Sequence, residues 1–208
     1  MLSTLYLVRH AQSNPSGFEP PAGWRLSATG LRQAEALADL LAPLGIEHVF
    51  SSPFLRSLAT AAPFAGKHAL EISVVGDLRE RVLANEPAHD EQELWCRARA
   101  DFSFALPGCE TSAAAQNRIC GAVRAIAERQ GGTSAVFTHG HVMALFLNAW
   151  QGSIGRKEAE ALTNPDVLRV EWKGGVFVWD REFTLPGLAG ITTDHRQTPR
   201  EQSSKASP

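Results

Sequence analysis

Residues 4–8 (TLYLV) form a continuous apolar, β-prone run close to the start of the chain. A strand of that kind has no face to turn to water, so it must lie inside a sheet covered on both sides. Shorter strand signals recur at 48–51, 72–75 and 135–138, and helical patterning separates them. Residues 30–42 carry an apolar stripe of Leu31, Ala34, Leu37, Ala38 and Leu41, with Thr29 as N-cap and Pro43 and Gly45 as the stop. Ser52 and Pro53 read as the N-cap and first residue of the next helix. Longer helical patterns cover 111–130, ending at Gly131-Gly132, and 142–150. Residues 167–172 and 176–179, separated by Lys173-Gly174-Gly175, read as a closing hairpin. Alternating strands and helices predict a three-layer α/β/α sandwich with a mostly parallel central sheet and helices on both faces.

The 208 residues suffice for one buried domain with a small cap. The expected organisation is a single domain over 1–191, with a cap-like insertion at 82–108 and a flexible tail at 192–208, where Gln, Ser and Pro accumulate. In the insertion, Trp95, Phe102 and Phe104 read as cap core in preference to a substrate platform, and Arg97 and Arg99 as either substrate contacts or a solvated helix face. The net charge of −2 gives no reason to expect nucleic acid or an anionic membrane, so any anion site must be local. Cys96, Cys109 and Cys120 are odd in number and lack CxxC spacing, which fits reduced thiols rather than a disulfide framework. No apolar run approaches the ~20 residues of a membrane span. The chain goes directly into a strand without a leader pattern, and the cytoplasm is the expected compartment.

In parallel α/β sheets ligands bind beyond the carboxyl ends of the strands. The residues there are Arg9-His10, Ser51-Ser52, the stretch 77–81, and His139-Gly140-His141. An Arg-His pair alone has a bland reading as an exposed or structural pair. A second imidazole at His139, and Arg56 early in the helix after a strand, turn it into a candidate pocket with two guanidiniums and two imidazoles. Such a pocket suits a phosphoryl group. Guanidiniums bind phosphate oxygens in pairs and stay charged at any working pH, and they favour the neutral, nucleophilic form of a neighbouring imidazole. Glu80 is the best-placed carboxylate to protonate a leaving alkoxide. A salt bridge to Arg79 or Arg81 is the competing reading for it, with Asp77 or Glu86 then the candidate acids.

Five motifs then appear in order. LVRHAQS at 7–13 resembles the LVRHGxS signature of the histidine phosphatase superfamily, which includes the cofactor-dependent phosphoglycerate mutases. LSATGLRQA at 26–34 is similar to its LTxxGxxQA helix start, and SSPFLRSLATA at 51–61 to its SSPLxRAxxTA stretch. LRE at 78–80 resembles the LxE that carries the acid, and THG at 138–140 the second-histidine motif. The resemblance implies that His10 is the nucleophile, that Arg9, Arg56 and His139 bind the phosphoryl group, and that Glu80 donates the proton and later activates water. Ser13 matches a position that contacts or supports phosphate; Gln12, Asn14, Ser16 and His141 are candidate substrate contacts. Two positions depart from the pattern: Ala11 replaces the usual glycine after the nucleophile, and Ser16 stands where asparagine is frequent.

The resulting expectation is a metal-independent phosphomonoesterase that works through phosphohistidine on His10, with no cofactor and a small phosphoester as substrate; a homodimer is compatible with it. A phosphoglycerate mutase is the alternative within the fold. Against it, Glu80-Arg81-Val82-Leu83 lacks the Tyr and Gly that follow the acid in mutases, and the segment after Glu80 is short. A non-catalytic phospho-ligand module is the alternative from another class, disfavoured because all five key side chains are present. His139 and His141 without a third ligand by spacing make a weak metal site. His48, His68 and His89 read as incidental.

Overall fold

A computed structural model describes residues 2–15, 19–84, 91–151 and 161–193. Ser16, Glu86, His89 and the part of the expected tail at 194–208 lie outside the described residues, as do the side chains of Trp95 and Arg99. The central strand β1 (Ser3–Arg9) pairs in parallel with β6 (Gly132–Thr138), which pairs with β4 (His48–Ser51), and β4 with the edge strand β5 (Ile72–Val74). On its other side β1 is antiparallel to β7 (Asp166–Lys173), which forms a hairpin with β8 (Val176–Asp180). The six-stranded order is thus β5-β4-β6-β1-β7-β8, parallel on one side of β1 and antiparallel on the other.

The apolar run in β1 is buried on both faces, as such a run requires. Leu5 and Leu7 pack beneath α4 (Ser112–Gln130) and α5 (Gly140–Gln151), against Ile119, Val123, Met143 and Phe146. Tyr6 and Val8 point the other way, against Leu37 and Leu41 of α1 (Ala28–Leu41) and Ala61 and Phe64 of α2 (Leu55–Lys67). Each large side chain so buried contributes roughly 1.5–3 kcal/mol, and every second residue of one strand serves each layer. The α/β/α sandwich is the architecture observed.

Several boundaries differ from the sequence reading for local reasons. Ser27, not Thr29, caps α1, because its Oγ accepts from Gly30 N while its own N–H is held by the Gln12 carbonyl. Helix α2 starts at Leu55 rather than Pro53; Ser52 Oγ accepts from Phe54 N, a small turn that faces His139 instead of capping a helix. The loop after β1 contains a short ribbon, β2 (Ser13–Asn14) against β3 (Arg25–Leu26). Within residues 82–108, α3 (Glu91–Ala100) carries Arg97, whose guanidinium carbon lies 4.3 Å from the Phe104 ring centre. Thr193, in the stretch expected to be a tail, exchanges both backbone hydrogen bonds with Asn164. Among the described residues no helix is long and apolar enough to cross a membrane.

Candidate active site

Three adjacent parallel strands deliver the first groups. At the carboxyl end of β1, His10 N donates to the Thr138 carbonyl at the end of β6, and Ser52 N, just past β4, donates to the Phe137 carbonyl. The sheet therefore sets His10, His139 and Ser52 side by side. The two imidazoles lie 5.1 Å apart between ring centres, inclined at 60°, and both are buried. The fourth parallel strand, β5, feeds a 3-10 turn (Gly76–Leu78) that leads to Glu80; Val75 N on the Ser51 carbonyl and Thr138 Oγ1 on the Leu78 carbonyl hold that turn to the strand ends.

The hydrogen bonds define the state of His10. Its Nδ1 lies 2.7 Å from the Ala11 carbonyl, which can only accept, so Nδ1 carries the hydrogen. Nε2 then presents a lone pair, and Arg56 Nε donates to it at 3.0 Å. Burial first, then the charges of Arg56 and Arg9, hold the His10 pKa well below 6.5. Burial does the same for His139, assisted by Arg56, His10 and Arg9. His139 Nε2 bonds Ser52 Oγ at 2.7 Å, while its Nδ1, fully buried, has no hydrogen-bond partner among the described residues.

Arg56 is 4% exposed and held by the Pro21 carbonyl at NH1. Its guanidinium carbon lies 5.1 Å from the Phe54 ring centre and 5.7 Å from that of Trp24. Burial draws its pKa down to about 10, so it keeps its charge at neutral pH. Arg9 NH1 donates to the Leu162 carbonyl, and its guanidinium runs so close to Gly140 that a Cβ there would sit 2.8 Å from Arg9 Cζ. Glycine in the HGH sequence is thus a close-approach position.

The Glu80 carboxylate caps α5. Oε2 accepts from His141 N and Oε1 from Val142 N and Arg81 N. Burial raises its pKa above 4.5, against the pull of Arg56 and those N–H donors. Arg79 is paired instead with Asp77 and Glu110, and the Arg81 guanidinium with the Glu110 and Phe104 carbonyls and Ser112. The arrangement can therefore hold an anion between two guanidiniums and two neutral imidazoles, with a protonatable carboxylate nearby.

The remaining expected site residues divide. His141 lends its backbone N–H to Glu80. Gln12 serves as a brace: its carbonyl accepts from Ser27 N and its Oε1 from Ser27 Oγ. Ser13 and Asn14 form the β2 side of the ribbon, with Asn14 exposed. Gln33 and Thr60 stood in the matched motifs without a role, and Asn164 stood in none. Gln33 Oε1 accepts from Gln12 N, and its Nε2 donates to the Asn164 and Ile191 carbonyls. Thr60 Oγ1 accepts from Ala11 N, and Asn164 Nδ2 donates to the His10 carbonyl. For Gln33 a signal existed: an amide in the apolar stripe of a helix needs buried partners. Asn164 had none, because its partner is 154 residues away.

Comparison with known proteins points to one family. The family model for the histidine phosphatase superfamily (branch 1) matches residues 5–183. The chain belongs to that superfamily. Several phosphatases and a phosphoglycerate mutase of known structure overlay it closely. The mycobacterial glucosyl-3-phosphoglycerate phosphatase Rv2419c does so with a TM-score of 0.72 at 20% identity, covering 86% of this chain and 98% of that one. A phosphoglycerate mutase from Bacillus anthracis gives 0.72 at 18% identity over 91% and 96% of the two chains. A phosphoserine phosphatase mutant from Entamoeba histolytica gives 0.70 at 16% over 85% and 94%. At such identities the likeness is one of fold. In sequence, the uncharacterized protein Rv0525 of Mycobacterium tuberculosis is 36% identical over 110 residues, 48% of this chain and 54% of that protein. The chain spans about half the length of the curated relatives it matches.

Proposed function

We propose that the protein is a phosphomonoesterase that passes the phosphoryl group through His10. The observation that carries this reading is the pairing at His10: Nδ1 bound to the Ala11 carbonyl, and the Nε2 lone pair aimed at the Arg56 guanidinium. A neutral imidazole fixed in the nucleophilic tautomer faces the cation that would hold the group it attacks. An incoming phosphate takes over the guanidinium edge. The Nε2–P bond then forms as the P–O ester bond breaks, and the Glu80 carboxyl gives its proton to the departing oxygen. In the second half, Glu80 as carboxylate removes a proton from water, the new O–P bond forms, and the N–P bond breaks. Arg9 and Arg56 supply the positive charge such a transfer requires, with His139 as a further donor. Water is the favoured acceptor because Glu80-Arg81-Val82-Leu83 lacks the Tyr and Gly of the mutase pattern.

The test is trapping the intermediate. Brief incubation with a radiolabelled phosphomonoester should leave an alkali-stable, acid-labile label on the chain, mapped to His10, and His10→Ala should lose both label and p-nitrophenyl phosphate turnover, by about 10³-fold or more. Turnover retained by His10→Ala, or a label on another residue, refutes the reading.

A further inference from the structure

Glu80 sits on backbone without regular secondary structure, between the 3-10 turn and the insertion. A proton donor so placed needs its main chain fixed from outside, since ~1 Å of misplacement can cost ~100-fold in rate. The chain supplies a fixture from α4. Arg118, on α4, donates from NH1 to the Asp77 carbonyl at 2.7 Å and the Arg79 carbonyl at 2.9 Å, two carbonyls shortly before Glu80. The rest of the same guanidinium forks onto Glu110, with Nε to Oε1 at 2.8 Å and NH2 to Oε2 at 2.7 Å. Just after Glu80, Arg81 is 3% exposed and donates to the Glu110 carbonyl at 2.8 Å, to Ser112 Oγ at 2.6 Å and to the Phe104 carbonyl at 2.9 Å. Glu110 therefore joins the two arginines, through its side chain to one and its main chain to the other.

We propose that Arg118, acting through the carbonyls of Asp77 and Arg79, is the positioning residue that aims Glu80 at the leaving-group oxygen. This rests on the reading of Glu80 as the proton donor. The planar fork suits such a role, because one rigid cation makes four hydrogen bonds to two carbonyls and a carboxylate, where an ammonium has three N–H donors on a flexible stem. The Glu80 carboxylate is bound to the start of α5, where the N–H groups stabilise its anionic form. Without Arg118 the Asp77 and Arg79 carbonyls lose that donor, and the pull of α5 draws the carboxyl toward the helix end instead of the ester.

The consequence is a selective defect. An alkyl phosphate must have its leaving oxygen protonated, whereas 2,4-dinitrophenolate leaves without help. In a ping-pong scheme kcat/KM reports only phosphorylation of the enzyme, so the two esters can be compared directly. For the full chain, kcat/KM is measured on glycerol 2-phosphate and 2,4-dinitrophenyl phosphate in the parent, Arg118→Met, Arg118→Lys and Glu80→Gln, with thermal unfolding of each. Arg118→Met should lose about 10- to 100-fold on the alkyl ester and under about 3-fold on the dinitrophenyl ester, with Arg118→Lys between it and the parent. If Arg118→Met unfolds, Arg118→Lys carries the same comparison. Equal losses on both esters, or no loss on either, overturn the positioning role while Glu80→Gln still discriminates between them. If Glu80→Gln fails to discriminate, the proton-donor reading itself is overturned, and the proposal with it.

Discussion

Gly140→Ala separates the energetics of the site from those of the fold. Gly140 opens α5 with an ordinary helical backbone, so alanine is conformationally acceptable and helix propensity favours it by up to ~1 kcal/mol. The added methyl would lie 2.8 Å from both Cζ and Nε of Arg9 and 3.2 Å from its NH2. Ordinary contact begins near 3.4 Å, so the guanidinium must retreat by about 0.6 Å. A flexible side-chain end can yield that distance, which keeps the folding cost small. On the proposed function Arg9 is a fork that binds phosphate, and it cannot move so far without losing alignment: the expected loss in kcat/KM is about 10- to 100-fold, or about 1.4–2.7 kcal/mol of transition-state stabilisation. The assay is p-nitrophenyl phosphate kinetics with inorganic phosphate inhibition, set beside urea unfolding of the same samples. Unfolding should stay within about 1 kcal/mol of the parent. Activity within twofold of the parent, or an activity loss matched by a loss of folding, would refute the placement of Arg9 against Gly140 as a catalytic requirement.

The same substitution at Gly30 should do the opposite. Its Cβ would sit 2.0 Å from the Gln12 carbonyl oxygen, which is backbone and already bonded to Ser27 N, so Gly30→Ala should cost about 2–3 kcal/mol in thermal or urea unfolding; a change under ~0.5 kcal/mol contradicts the close approach. Glu80→Gln should show two pH signatures. The folded pKa of Glu80 lies above its unfolded value near 4.5, so its stabilising contribution is complete below 4.5 and is lost as pH rises through the folded value. The variant should therefore melt higher than the parent at pH 7 and gain nothing at pH 4. In kcat/KM, the proposed mechanism needs neutral His10, giving an acid limb below 6.5, and protonated Glu80, giving an alkaline limb above 4.5. Glu80→Gln should lose the alkaline limb, and a limb that survives there belongs to another group.

Most of the layer architecture was legible in the order of the elements. The run at 4–8 demanded burial on both faces and has it, and the helix over 111–130 ends where Gly131 breaks it. The misplaced starts of α1 and α2 share one cause. Ser27 and Ser52 are both good caps by residue type, and which hydroxyl caps a helix and which binds an imidazole depends on the strand next door. The short β2–β3 ribbon went unseen because two-residue strands leave no periodicity to read.

His10, Arg9, Arg56, Glu80 and His139 were named by the sequence because strand ends in a parallel sheet converge, and because five motifs stood in order along one chain. Their chemistry is intrinsic to the side chains. What no sequence pattern holds is the set of long-range contacts that fixes each one: Asn164 on the His10 carbonyl, Leu162 on Arg9, Gln33 between Gln12 and Asn164, and Arg118 on the carbonyls before Glu80. The same holds for protonation. An isolated histidine titrates near 6.5 and an isolated glutamate near 4.5; only burial beside two guanidiniums lowers the one, and only burial, against the pull of Arg56 and the N–H donors, raises the other. Local sequence selected the groups, and the low-polarity enclosure made by distant segments decided their tautomer, their charge and their aim.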